Sequence, residues 1–73
     1  MKLNPIGPNQ TEIDTGKMLV LFSYKTPVAA MTNGGVYRTE EKHSNTTSRH
    51  INAWLDGRNA EVKPQAWFDA LLA

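Results

Sequence analysis

The segment HSNTTSRH, residues 43 to 50, places five hydroxyl or amide side chains and one arginine between two histidines. At the positive end of a helix, such groups can bind a phosphate or carboxylate, because the first backbone N–H groups have no partner there. The same residue types are preferred at any helix start, where their side chains accept hydrogen bonds from those N–H groups. Capping by Ser44 or Asn45 is therefore the simpler interpretation, and an anion site is the alternative.

The two histidines raise the question of a metal site. His43 and His50 are seven positions apart, and Glu40 and Glu41 precede them. This spacing is neither a helical i, i+4 pair nor a zinc signature. We predict that the protein binds no metal and no other cofactor.

Serine and histidine together also raise the question of a hydrolase. Ser44 or Ser48 with His50 and Asp56 supplies the residue types of a nucleophile, a base and an acid. No G-x-S-x-G motif is present, and a chain this short leaves little scaffold for an oxyanion hole and a substrate pocket. We predict that the protein is not an enzyme; the remaining catalytic alternative uses His50 as a general base.

Composition excludes several further classes of protein. The 73 residues include no cysteine, so no disulfide or thiolate metal cage supports the fold. Eight basic and seven acidic residues leave a formal charge of +1 without a polybasic segment. The longest apolar run, MLVLF, is too short for a membrane span, and the segment MKLNPIGPNQ lacks the apolar stretch of a signal peptide. We therefore expect a cytoplasmic protein that does not bind membranes.

The elements that must position the 43–50 segment begin with strands. Proline and glycine in MKLNPIGPNQT indicate an irregular N-terminal arm over residues 1–11, followed by one α+β domain over residues 12–73. Strands are predicted at 12–14, 17–23, 28–32 and 36–43, with a hairpin at the NGG sequence of residues 33–35. The 17–23 strand is apolar on both faces, which predicts cover on both sides or contact with another copy of the chain.

Two amphipathic helices follow. The first is predicted to start at Ser44 and to stop at Gly57, and the second to start at Pro64 and to run to the end of KPQAWFDALLA. Their aromatic side chains fall on the apolar faces, so we expect core positions; stacking on single-stranded nucleic acid is the alternative. The predicted fold class is α+β, a small antiparallel β-meander of three to four strands followed by two short helices packed on one face.

Two blocks of this sequence resemble a known pattern. FSYKTPVA at residues 22–29 and SNTTSRHIN at residues 44–52 are similar to the FSYxTPVA and SxTTxRHIN motifs of small uncharacterised proteins from phages and mobile elements. The resemblance covers about half of the chain. It implies a phage-encoded domain of unknown function, placed in the host cytosol, and it implies no activity.

The two blocks define the predicted binding surface. It consists of Tyr24, Thr26, Thr47, Arg49 and His50. We expect a small phage-type accessory protein that binds an unknown host or phage protein, and that also forms homo-oligomers if its apolar strand needs a neighbour. The alternative for the same residues is that Thr47 and His50 join the helix to the hairpin through buried hydrogen bonds.

A second functional hypothesis is nucleic-acid binding. Arg49, at the helix start, would contact phosphates, with Arg38 and Lys42 nearby. Glu40 and Glu41 lie beside these cations and weaken the hypothesis.

Overall fold

The sheet is the largest feature of the computed structural model, which describes residues 1–72. Its six strands lie in chain order, and two helices pack against it. The elements are β1 (Lys2–Gly7), β2 (Gln10–Asp14), β3 (Met18–Ser23), β4 (Thr26–Thr32), β5 (Gly35–Thr39), α1 (Asn45–Leu55), β6 (Glu61–Lys63) and α2 (Gln65–Asp69). Neighbouring strands are antiparallel except β5 and β6, which are parallel because α1 forms the crossover between them. Neither described helix is long and apolar enough to span a bilayer.

The strand register places the two helices on opposite faces of the sheet. Val20 pairs directly with Ala30, and both pack around Phe68 of α2. Leu21, the next residue on β3, packs with Ile51 of α1. Successive residues of a strand point to opposite faces, so α2 covers one face and α1 covers the other.

This arrangement confirms that the apolar run at 17–23 is a central strand covered on both sides. Val20 and Leu21 are fully buried by elements of the same chain. Neither face of this strand therefore needs a second copy of the chain to cover it, which was the reason to expect homo-oligomers.

The predicted strand number and helix placement were wrong, although the class is α+β. The sheet has six strands rather than three to four, and the helices do not share a face. The predicted irregular arm at 1–11 contains β1 and the start of β2; Pro5 is tolerated in β1 because this strand lies at the sheet edge. Strand β6 has three residues, too few for a recognisable periodicity.

Several local predictions match the structure. The 33–35 hairpin is present between β4 and β5, Ser44 is the N-cap of α1, and Gly57 follows its C-cap. Strand β5 ends at Thr39 instead of continuing to residue 43. The second helix was predicted too long: α2 begins at Gln65, with Pro64 as its N-cap instead of its first residue, and ends at Asp69 instead of continuing through Leu71. Ala73, the last residue of the predicted domain and final helix, lies outside the described residues.

Candidate functional site

A chain of hydroxyl groups joins the start of α1 to the end of β3. The Ser23 Oγ atom lies 2.7 Å from His50 Nδ1 and 3.0 Å from Thr47 Oγ1. Ser44 Oγ donates to Thr47 Oγ1 at 3.2 Å. All three hydrogen bonds are satisfied when each hydroxyl donates to the next group, which leaves the proton of a neutral His50 on Nε2.

The same residues cap the helix. Ser44 Oγ accepts a hydrogen bond from the Thr47 backbone N–H at 3.0 Å, as an N-cap side chain does. Thr47 is only 4% exposed. These contacts support the interpretation that the helix start is a cap and that Thr47 and His50 attach it to the β3–β4 hairpin.

The geometry does not assemble the hydrolase residues considered from the sequence. Ser44 and Asp56 lie at opposite ends of α1. The serine that does contact His50 is Ser23, which is only 2% exposed, so a substrate carbonyl has no access to its hydroxyl. The Ser23–His50 pair therefore acts as an internal attachment.

Tyr24 immediately follows this attachment, at the first position of the two-residue turn between β3 and β4. Its side chain is 52% exposed, and its ring centroid lies 6.1 Å from that of His50. Its φ is +58°, whereas the other non-glycine residues with positive φ in residues 1–72 are Asn9 and Asp56. Asparagine and aspartate tolerate this conformation, but a bulky aromatic residue rarely adopts it.

The Tyr24 turn lies against the turn between β1 and β2. The Tyr24 backbone N–H donates to the Asn9 carbonyl at 2.7 Å. Between the two turns is an open cavity of about 620 Å³, which we call the turn groove. The residues that line the turn groove are Pro5, Gly7, Asn9, Gln10, Thr11, Tyr24, Lys25 and Thr26.

Two of the five predicted binding residues line the turn groove, and three do not. Tyr24 and Thr26 line it, and His50 is half-buried behind the Tyr24 ring. Thr47 is buried beneath these residues. Arg49 is exposed on α1 and makes no side-chain hydrogen bond or ion pair within residues 1–72.

His43 belongs to a separate polar cluster centred on Gln65. Gln65 Oε1 accepts hydrogen bonds from Thr39 Oγ1 at 2.8 Å and from His43 Nε2 at 2.9 Å. Gln65 Nε2 donates to the Pro27 carbonyl at 2.8 Å and to Asp69 Oδ1 at 3.0 Å. The bonds to Thr39 and Pro27 fasten α2 to the sheet, the bond to His43 holds the loop before α1, and the bond to Asp69 lies within α2. Within the described part of the chain, no three His, Asp or Glu side chains converge on a common point as metal ligands would.

Sequence reasoning missed Ser23, Lys25 and the β1–β2 side of the turn groove. The sequence did contain an indication of Ser23, since its hydroxyl is the single polar side chain in the apolar segment MLVLFS and a buried hydroxyl needs a hydrogen-bond partner. Asn9, next to Pro8, indicated a turn. Nothing in the sequence indicated that this turn would lie beside Tyr24, because that contact depends on how β1, β2 and β3 pair.

Comparison with known proteins assigns the chain to a family. It belongs to a family of unknown function, DUF8033, which matches residues 1–70 and so includes the whole turn groove. No curated protein and no solved structure matches the chain. The family carries no assigned activity and no information about phage origin.

Proposed function

We propose that this DUF8033 protein is a small, non-enzymatic, phage-type accessory protein that acts in the cytoplasm by binding a host or phage protein through the turn groove. The observation that carries the proposal is Tyr24, a half-exposed aromatic side chain held at positive φ on the rim of that groove. Tyrosine is enriched at protein interfaces because its ring supplies apolar contact area and its hydroxyl can hydrogen-bond.

The backbone conformation of Tyr24 supports a role beyond folding. A positive φ costs a residue with a bulky side chain roughly 1 kcal/mol or more, and glycine or asparagine would avoid this cost. Strained residues of this kind concentrate at binding and catalytic sites, where the strain orients a side chain. Here the strain turns the Tyr24 ring toward the groove and His50 instead of into the core.

The composition and support of the turn groove also fit protein recognition. Two turns and the strand ends beside them supply Tyr, Asn, Gln and Thr side chains, which resemble the adaptable polar and aromatic contacts of antibody loops. The attachment of Ser23 to Thr47 and His50 holds the base of the Tyr24 turn on the rigid sheet. A preorganised loop loses less conformational entropy when it binds.

The test compares partner capture by wild type, Tyr24→Asn and Val62→Asn. Asparagine tolerates positive φ, so Tyr24→Asn removes the ring while its thermal unfolding midpoint stays within a few degrees of wild type. Val62→Asn is the matched control, since it also replaces an exposed apolar residue but lies on β6, at the other edge of the sheet. The tagged variants are incubated with host lysate, with and without nuclease treatment, and captured proteins are quantified by mass spectrometry.

We expect one protein to be captured by wild type and Val62→Asn, and to be reduced at least tenfold with Tyr24→Asn. Equal capture by both variants would contradict the proposal, because binding would then not use the turn groove. Capture that requires intact nucleic acid would favour the alternative based on Arg49.

A further inference from the structure

At the end of the sheet opposite the turn groove, polar side chains hydrogen-bond to the backbone of neighbouring turns. There, Asp14 Oδ1 accepts from the Gly16 backbone N–H at 2.8 Å, and Thr32 Oγ1 accepts from the Gly34 backbone N–H at 3.1 Å. Thr15 Oγ1 likewise accepts from a backbone N–H of its own turn. These side chains therefore stabilise the turns in which they lie.

No such contacts occupy the turn groove. It contains six polar side chains, and none makes a side-chain hydrogen bond or an ion pair within residues 1–72. They are Asn9, Gln10, Thr11, Tyr24, Lys25 and Thr26. Because these residues line one cavity and their side chains are not used internally within residues 1–72, donors and acceptors at the cavity are available to a ligand.

The charge of the turn groove selects among ligands. Among residues 1–72, Lys25 is the one charged residue that lines the groove, and no Asp or Glu lines it. Glu12, which follows Thr11 in β2, is not a lining residue, and its carboxylate accepts a hydrogen bond from Trp54 Nε1 of α1 at 2.9 Å. The groove therefore favours a ligand with a single negative group over a cation, while one lysine is too few for the phosphate contacts of nucleic acid.

From these observations we propose that the turn groove binds an extended peptide segment that carries an Asp or Glu side chain, whose carboxylate pairs with Lys25. This inference rests on the proposed function and specifies its partner. The amides of Asn9 and Gln10 can each donate to and accept from a peptide backbone, and the Tyr24 ring with Pro5 supplies apolar contact. A volume of about 620 Å³ accommodates a few residues of such a segment.

The experiment starts from a displayed library of random seven-residue peptides selected on immobilised wild-type protein. Enriched peptides are synthesised, and their dissociation constants are measured by fluorescence anisotropy at low and high salt. The same peptides are titrated into Tyr24→Asn, Lys25→Met and Lys17→Met. Lys17→Met is the charge-matched control, since Lys17 is exposed in the turn between β2 and β3 at the opposite end of the sheet.

We expect enriched peptides to carry Asp or Glu, and Lys25→Met to weaken their binding about fivefold, as loss of a partly exposed ion pair does. Replacing the peptide Asp or Glu with its amide should weaken binding to wild type by the same factor. The same replacement should not change the affinity for Lys25→Met, because that variant has already lost the ion pair. Lys17→Met should bind as wild type does.

Two results would separate the inference from the proposed function. Peptides that lack a carboxylate, or whose binding is equal for Lys25→Met and Lys17→Met, would overturn the inference while loss of binding in Tyr24→Asn still supported the proposed function. Binding that is unchanged in Tyr24→Asn, or a selection that enriches no peptide, would contradict both.

Discussion

Replacement of Ser23 by alanine is expected to lower the free energy of unfolding by about 2 kcal/mol. The hydroxyl makes two hydrogen bonds, to His50 Nδ1 at 2.7 Å and to Thr47 Oγ1 at 3.0 Å. Each such bond between neutral groups contributes about 1 kcal/mol net. The cost stays moderate because Thr47 keeps its bond to Ser44 and the half-buried His50 can turn Nδ1 toward water.

The assay is equilibrium urea unfolding of wild type, Ser23→Ala and the control Ser48→Ala. Ser48 lies on α1, and its hydroxyl makes no side-chain hydrogen bond within residues 1–72. Its replacement should change the unfolding free energy by less than about 0.5 kcal/mol. A double-mutant cycle between Ser23→Ala and His50→Ala should give a coupling energy of about 1 kcal/mol. Equal midpoints for Ser23→Ala and wild type, or a coupling near zero, would refute the role of Ser23 as the attachment point of α1.

Three further outcomes follow from other contacts. Gln65→Ala should lower the unfolding free energy by about 2 kcal/mol, because two of the hydrogen bonds of its amide, to Thr39 and to the Pro27 carbonyl, fasten α2 to the sheet; urea unfolding checks this. Trp54→Phe should cost about 1 kcal/mol through loss of the bond to Glu12, and should cost much less in a Glu12→Ala background. The hydrogen bond and charge of Glu61 raise the pKa of Lys63 above its ordinary value of 10.5, so this pair stabilises the fold below that pH and the contribution is lost as pH rises above it. The alkaline fall of the thermal midpoint should therefore be shallower in Glu61→Gln than in wild type.

The helix start and the central strand could be predicted because their causes are local. Ser44 followed by polar residues and then by Ile51 indicates a cap and an amphipathic helix whatever the rest of the chain does. An apolar run of strand length that includes Val20 and Leu21 must be covered on both faces, and the structure covers it with α2 and α1. The NGG hairpin depends only on residues that accept positive φ.

The outer strands and the side on which each helix packs were not predictable in the same way. Strand β1 contains Pro5, and its assignment depends on an edge position that only the complete sheet defines. Strand β6 is held by parallel pairing with β5, a contact between segments separated by α1. The helix faces depend on strand register, since a shift by one residue would exchange Val20 and Leu21 between the faces.

The candidate site also combines features with local causes and features that depend on contacts between distant segments. Residue type and spacing set local backbone preference, so Tyr24 could be placed in a turn, and Thr47 and His50 near a capped helix start, before the fold was known. The contact of Ser23 with this helix start and that of Asn9 with Tyr24 depend on the folded arrangement of the strands. The position of Lys25 at a cavity shared by two turns depends on it too. Pairing of β1, β2 and β3 brings these residues together, and hydrogen bonds between distant segments leave no periodic pattern in the sequence.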